Sequence, residues 1–207
     1  MAGNRLVRAA VASLATVALA ACGTAADDRS VPAPAAPSGG PAPSLPLPGA
    51  PKPAPYVPLP VPVVIPLDGY AAEPVVEYGS IQIPRIGLDH KLYQGVTLHN
   101  IDLGPSHWTG TARPGERGNA VVAGHRVTHS QPFLRVDELV AGDLVIFRVD
   151  GVRSTYRVTN SMVVAPADTW IADQTHTPTA TLYACHPPGS EAQRYVVQMV
   201  LDSTGPA

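Results

Sequence analysis

Fourteen of the chain's 24 prolines fall between Pro32 and Pro66. Proline donates no backbone hydrogen bond and fixes φ near −65°, so a segment this dense in it enters neither a helix nor the interior of a sheet. It is predicted to run as extended polyproline II, uncharged apart from Lys52, with a reach of roughly 110 Å at about 3.1 Å per residue. The 207-residue chain is thereby divided. Residues 22–66 read as a Pro-rich disordered tether, and the core has to lie in residues 70–204, ordinary single-domain size.

The stretch before the tether is an export signal. Arg5 and Arg8 precede an apolar run from Ala9 to Ala21, too short to span a bilayer, which takes about 20 residues, but suited to the apolar region of a signal peptide over residues 1–21. The run ends in Leu19-Ala20-Ala21-Cys22-Gly23, which resembles the lipobox of bacterial lipoproteins. That resemblance implies a lipid on Cys22 and a lipid-anchored protein on the outer face of the cytoplasmic membrane or in the cell envelope. An ordinary signal peptide with a chance cysteine, and a Cys22–Cys185 disulfide, are the alternatives. Removal of residues 1–21 leaves 12 basic against 16 acidic residues, with only Lys52 and Lys91 as lysines. Such a chain lacks the basic stripe with aromatic platforms of a nucleic-acid binder.

Beyond residue 70 the pattern is mostly β. Ser80–Pro84 alternates, Asn119–Ala123 is a short buried-type run, and Asp143–Val149 meets Asp150-Gly151, a hairpin signal returning through Ser154–Val164. Thr179–Ala184 and Arg194–Leu201 follow. Their spacing predicts a barrel or sandwich. Short helices are expected only around His99–Leu103 and Pro132–Leu139, and Trp108 and Trp170 read as core anchors.

Three reactive residues stand at strand edges: His125 after the run Asn119–Ala123, Cys185 at the end of the next to last strand, and Arg194 at the start of the last. Their chemistry is complementary. A thiolate attacks a carbonyl, an imidazolium protonates the departing amine, and a guanidinium donates fixed hydrogen bonds to substrate or oxyanion. Spacing alone leaves open whether they meet, and a lone strand cysteine is also an ordinary small core residue.

The stretches GERGNAVVAGHRVTHSQPFLRVDELVAGD (115–143) and TLYACHPPGSEAQRYVV (181–197), with IQIPRIGLDHKLYQGV upstream, resemble the sortases, most closely those of class E. The resemblance implies an all-β fold, a closed eight-stranded barrel with short helices, and a cysteine transpeptidase that needs no metal or cofactor. It assigns Cys185 as nucleophile, His125 as catalytic histidine and Arg194 as essential arginine. The implied partners are secreted proteins with a C-terminal LAxTG- or LPxTG-like sorting signal, cut between Thr and Gly, and an amine acceptor in peptidoglycan or elsewhere in the envelope. With no carboxylate assigned to the Cys/His pair, only part of the enzyme carries thiolate and imidazolium together, which predicts slow turnover and a bell-shaped pH profile.

Ala184 departs from the family, which carries Thr before the nucleophile. It raises the alternative of a weak or inactive envelope-binding lipoprotein. An L,D-transpeptidase is a further alternative, disfavoured by the nine-residue gap from Cys185 to Arg194. His129 is assigned to the substrate groove or to solvent, Tyr183 to substrate or barrel wall, and Asp168 to the groove or a surface loop. His125 and His129 have i, i+4 spacing, but HRVTH lacks the glutamate of HExxH and leaves a strand, so no metal site is expected.

Overall fold

The structure, a computed structural model, describes residues 56–207. The signal segment, Cys22 and the tether up to residue 55 lie outside the described residues.

Eight strands close into a barrel. In chain order they are β1 (Val76–Ile83), β2 (Leu88–Gln94), β3 (Ser106–His107), β4 (Gly118–Ala123), β5 (Leu144–Val149), β6 (Val152–Val164), β7 (Pro178–His186) and β8 (Gln193–Pro206). Around the wall the order is β1-β2-β3-β4-β7-β8-β6-β5, and β5 pairs back onto β1. Most neighbours are antiparallel; β2/β3 and β4/β7 are parallel. Closure removes the unpaired edges that an open sheet exposes. The one α-helix among the described residues, α1 (Leu98–Ile101), is a single turn, and 3₁₀ turns occupy Pro84–Ile86, Val136–Glu138 and Thr169–Ala172.

Alternation fills the interior. From β1, β4, β5, β7 and β8 the residues Ile81, Val122, Phe147, Leu182 and Val197 point inward and are fully buried. Asp150 and Gly151 take φ of 49° and 75°, two consecutive left-handed residues that match the right-handed twist of a β5–β6 hairpin. Trp108 is buried as expected; Trp170 is not a core anchor. It lies in the 3₁₀ turn Thr169–Ala172 and is 45 % exposed.

The last residues of the Pro-rich segment run along the barrel. Val63 N donates to Thr109 O at 2.9 Å, and Trp108 Nε1 donates to Val63 O at 2.7 Å. Arg117 Nη1 donates to Val57 O at 3.1 Å. A side chain at Gly110 would meet Val61 O at 2.3 Å, so the approach itself requires glycine there.

One acidic residue shapes the loop that leads into α1. Glu73 accepts from Val96 N, Thr97 N, Thr97 Oγ1 and Asn100 Nδ2, at 2.8 to 3.1 Å. Burial alone would raise its pKa, but those four donors outweigh it and hold the carboxyl below its ordinary value. The turn that carries Asp102 is thereby fixed to the segment that precedes β1.

Candidate active site

Register brings the strand-borne pair together. β7 and β8 are antiparallel with Cys185 directly opposite Arg194, a spacing at which Cβ atoms lie about 4.5–5.5 Å apart. On its other side β7 runs parallel to β4, with Ala123 beside Tyr183 and Gly124 N donating to Tyr183 O at 3.2 Å. The chain therefore leaves β4 at the level of Cys185, and the next residue is His125. Glycine is required at 124 because a Cβ there would sit 2.5 Å from the fully buried Phe133 ring.

Cys185 carries a free, half-buried thiol. Arg194 Nη1 donates to the carbonyls of Glu191 and Gln193, at 2.9 and 3.0 Å, which anchors one arm of the guanidinium. His125, Cys185 and Arg194 all line one cavity of about 630 Å³, a size that suits an extended peptide segment. Its apolar walls include Ile65 and Leu67 from the docked segment, Leu98 and Ile101 from α1, and Trp108 and Ile171.

A carboxylate holds the histidine, contrary to the sequence reading of an unsupported Cys/His pair. His125 Nε2 lies 2.7 Å from Asp102 Oδ1, and Tyr70 OH donates to Asp102 Oδ2 at 3.0 Å. Burial would raise the Asp102 pKa. The hydrogen bonds from His125 and Tyr70 and the nearby His129 and His125 charges prevail, so the carboxyl lies below its ordinary value and is ionised at neutral pH. An ionised carboxylate accepts a hydrogen bond from Nε2–H, which keeps the proton on that nitrogen and leaves Nδ1 free to exchange one.

The other residues singled out in the sequence take distinct places. Tyr183 lines the cavity with Cys185 and packs on Trp108 at a ring separation of 6.1 Å. Burial pushes its phenol up to about 12, Arg194 opposing and Cys185 adding to the shift. Ala184 also borders the cavity, but its side chain is 2 % exposed and packs with Leu182 in the barrel interior, on the strand face opposite Tyr183 and Cys185. Asp168 lies on the cavity rim, its Oδ2 accepting from Ala165 N at 2.7 Å. His129 is stacked behind His125, ring centroids 4.7 Å apart, with Nε2 3.5 Å from Asp102 Oδ2.

Arg126, which follows His125 and also borders the cavity, has partners of its own. It is 2 % exposed, paired to Asp137 at 2.5 Å and to His186 Nδ1 at 2.8 Å. As guanidinium only donates, His186 presents an unprotonated Nδ1. The residue after the thiol is thus tied to the loop after His125, which fixes the two chain segments to each other.

Comparison with known proteins agrees with the fold. The sortase domain family matches residues 81–202. Sortase D of Bacillus subtilis (strain 168) is 28 % identical over 123 residues, 58 % of this chain and 61 % of that protein, so the chain spans less than two thirds of the length of this curated relative. Among solved structures, sortase E from Streptomyces avermitilis is 30 % identical with a TM-score of 0.57, covering 63 % of this chain and 91 % of that one. A Clostridium perfringens sortase D5 transpeptidase is 30 % identical with a TM-score of 0.57, covering 61 % and 79 %. A domain match over more than half the chain, on a closed eight-stranded barrel, places the protein in the sortase family.

Proposed function

We propose that the barrel is a cysteine transpeptidase that cuts a C-terminal LAxTG- or LPxTG-like sorting signal between Thr and Gly. The observation that carries the reading is the convergence of Cys185, Arg194 and His125 on one cavity, the first two by strand register and the third at the end of the parallel neighbour. The Cys185 thiolate attacks the Thr carbonyl, His125 gives a proton to the departing Gly amine, and the free part of the Arg194 guanidinium donates to the substrate or the oxyanion. An amine of the cell envelope then displaces the thioester, and the His125 imidazole accepts its proton. Cysteine and imidazole suffice for both halves.

The relevant experiment incubates the purified chain with a panel of sorting peptides and an amine nucleophile. A product joining the Thr carbonyl to the amine, detected by mass, supports the reading. Unchanged peptides across the panel with an unreactive Cys185 thiol would leave the envelope-binding alternative. The export signal and the lipid on Cys22 belong to the same proposal, which places the enzyme outside the cytoplasmic membrane. A lipid-modified N-terminal peptide that disappears in Cys22→Ser tests it.

A further inference from the structure

We propose that Asp102, His125 and His129 form a binding site for a divalent transition metal, Zn²⁺ by its donor set, and that an ion there reversibly shuts down turnover. The effect on turnover rests on the transpeptidase reading; the binding does not. Sequence spacing offers two imidazoles with no third ligand, and the fold supplies that ligand from the turn that ends α1. One ligand atom from each of the three residues lies within 4.8 Å of the others. His125 Nε2 and Asp102 Oδ1 are 2.7 Å apart, and His129 Nε2 and Asp102 Oδ2 are 3.5 Å apart. Donors around a tetrahedral ion at 2.0–2.1 Å are about 3.3 Å from one another, so the atoms have to draw together by up to about 1.5 Å to close on an ion.

The chemistry of the donors selects the ion. Two imidazoles and one carboxylate suit Zn²⁺ or Co²⁺, whereas Mg²⁺ and Ca²⁺ take oxygen alone. With both rings neutral the cluster carries one negative charge. Tyr70 OH donates to Asp102 Oδ2 at 3.0 Å, the kind of hydrogen bond that orients a ligating carboxylate. His129 has φ of 53°, in the left-handed region that a non-glycine residue enters at a cost. The turn that holds it there is closed by Gln131 N to Thr128 O and by Gln131 Nε2 to Val127 O, both at 3.0 Å. The His129 side chain is 45 % exposed against 16 % and 20 % for the other two, which leaves a solvent side where water completes the coordination.

Occupation defeats the reaction through the proton, not through steric block. An imidazole that ligates through Nε2 carries its single proton on Nδ1. It can no longer accept a proton from the thiol or from the incoming amine, and the cycling between imidazole and imidazolium stops.

The test titrates the full chain with Co²⁺, followed by Zn²⁺ displacement. Expected are one ion per chain, visible ligand-field bands without a thiolate-to-cobalt charge-transfer band, and a metal-dependent rise in melting temperature. Cys185→Ala should bind equally well, while His129→Ala and, independently, His129→Gln should bind at least about tenfold more weakly. Peptide turnover should fall with Zn²⁺ occupancy and return with a chelator, and the inhibition constant should rise about tenfold in His129→Ala, judged against that variant's own metal-free rate. Loss of binding in Cys185→Ala would assign the ion to the thiol and overturn the site, as would unchanged binding in both His129 variants. Binding with these ligands in a chain that turns over no peptide would keep the site and overturn the function on which its effect depends.

Discussion

Cys185 and Arg194 are held in one way and His125 and Asp102 in another. The first pair sits on adjacent antiparallel strands, where the ladder between Pro178–His186 and Gln193–Pro206 sets the distance and the faces. The second is assembled from the loop after β4 and the turn after α1, whose residues stand 23 apart in sequence and meet through one 2.7 Å contact. Backbone register is cooperative and insensitive to any single side chain. A loop contact depends on each hydrogen bond that shapes the loop. On the proposed mechanism, the attacking sulfur and the guanidinium beside it are thus set by strand register, and the group that would gain and lose protons is set by loop contacts.

Substitutions separate the two halves. Cys185→Ala should abolish transpeptidation altogether with no loss of fold, as read by mass detection of product and by thermal melting; measurable product would end the thioester mechanism. Arg194→Lys keeps the charge but loses the planar fork, and kcat/KM should fall roughly 10²–10³-fold, the scale of a lost oxyanion donor. In the loop half, Asp102→Asn should lower kcat by roughly tenfold to a hundredfold, part of what acid–base catalysis contributes, with KM little changed. A larger loss than that of Arg194→Lys would reverse the ranking of strand over loop.

Effects on the scaffold should be smaller. Gly124→Ala drives a methyl into the Phe133 ring and should cost about 1–3 kcal/mol, seen as a lower urea midpoint accompanied by slower turnover because His125 is next in the chain. Glu73→Gln removes the charge from a carboxylate with four donors and should cost about 1–2 kcal/mol at pH 7. Because the folded pKa of Glu73 is depressed, its contribution is full above the unfolded value of about 4.3 and is lost as pH falls through the lower folded value. Urea midpoints of the two proteins should therefore converge at strongly acidic pH; a constant gap would mean that packing, not the charge, is what Glu73 supplies.

The same division decides what the sequence could reveal. Asp150-Gly151 announces its hairpin because the turn chemistry is local, and the apolar runs of β4, β7 and β8 report buried strands directly. Strands β2 and β3 are silent: Leu92 is the one fully buried side chain of β2, and the two residues of β3 are strands only because β2 and β4 flank them. Asp102 was hidden for a related reason. Nothing in LHNIDLGP marks that aspartate as different from any helix-end acid, since its meaning arises only when Glu73 and Tyr70 fix the turn against the loop of His125. The docking of residues 56–66 was equally unreadable, because proline density forbids regular structure but is indifferent to whether the extended chain lies free or on a surface.

The alternation along β7 also has a hereditary consequence. In this strand the thiol and the methyl beside it face opposite sides of the barrel wall, so one codon deleted between Ala180 and Ala184 would exchange them. The sulfur would then sit in the barrel interior and alanine would face the cavity, with the hydrophobic content of the strand nearly unchanged. The turn from Pro187 to Ala192, lying beyond the paired residues, can gain or lose length without that exchange. Lineages of such a protein should therefore vary in this turn while β7 keeps its length to the residue.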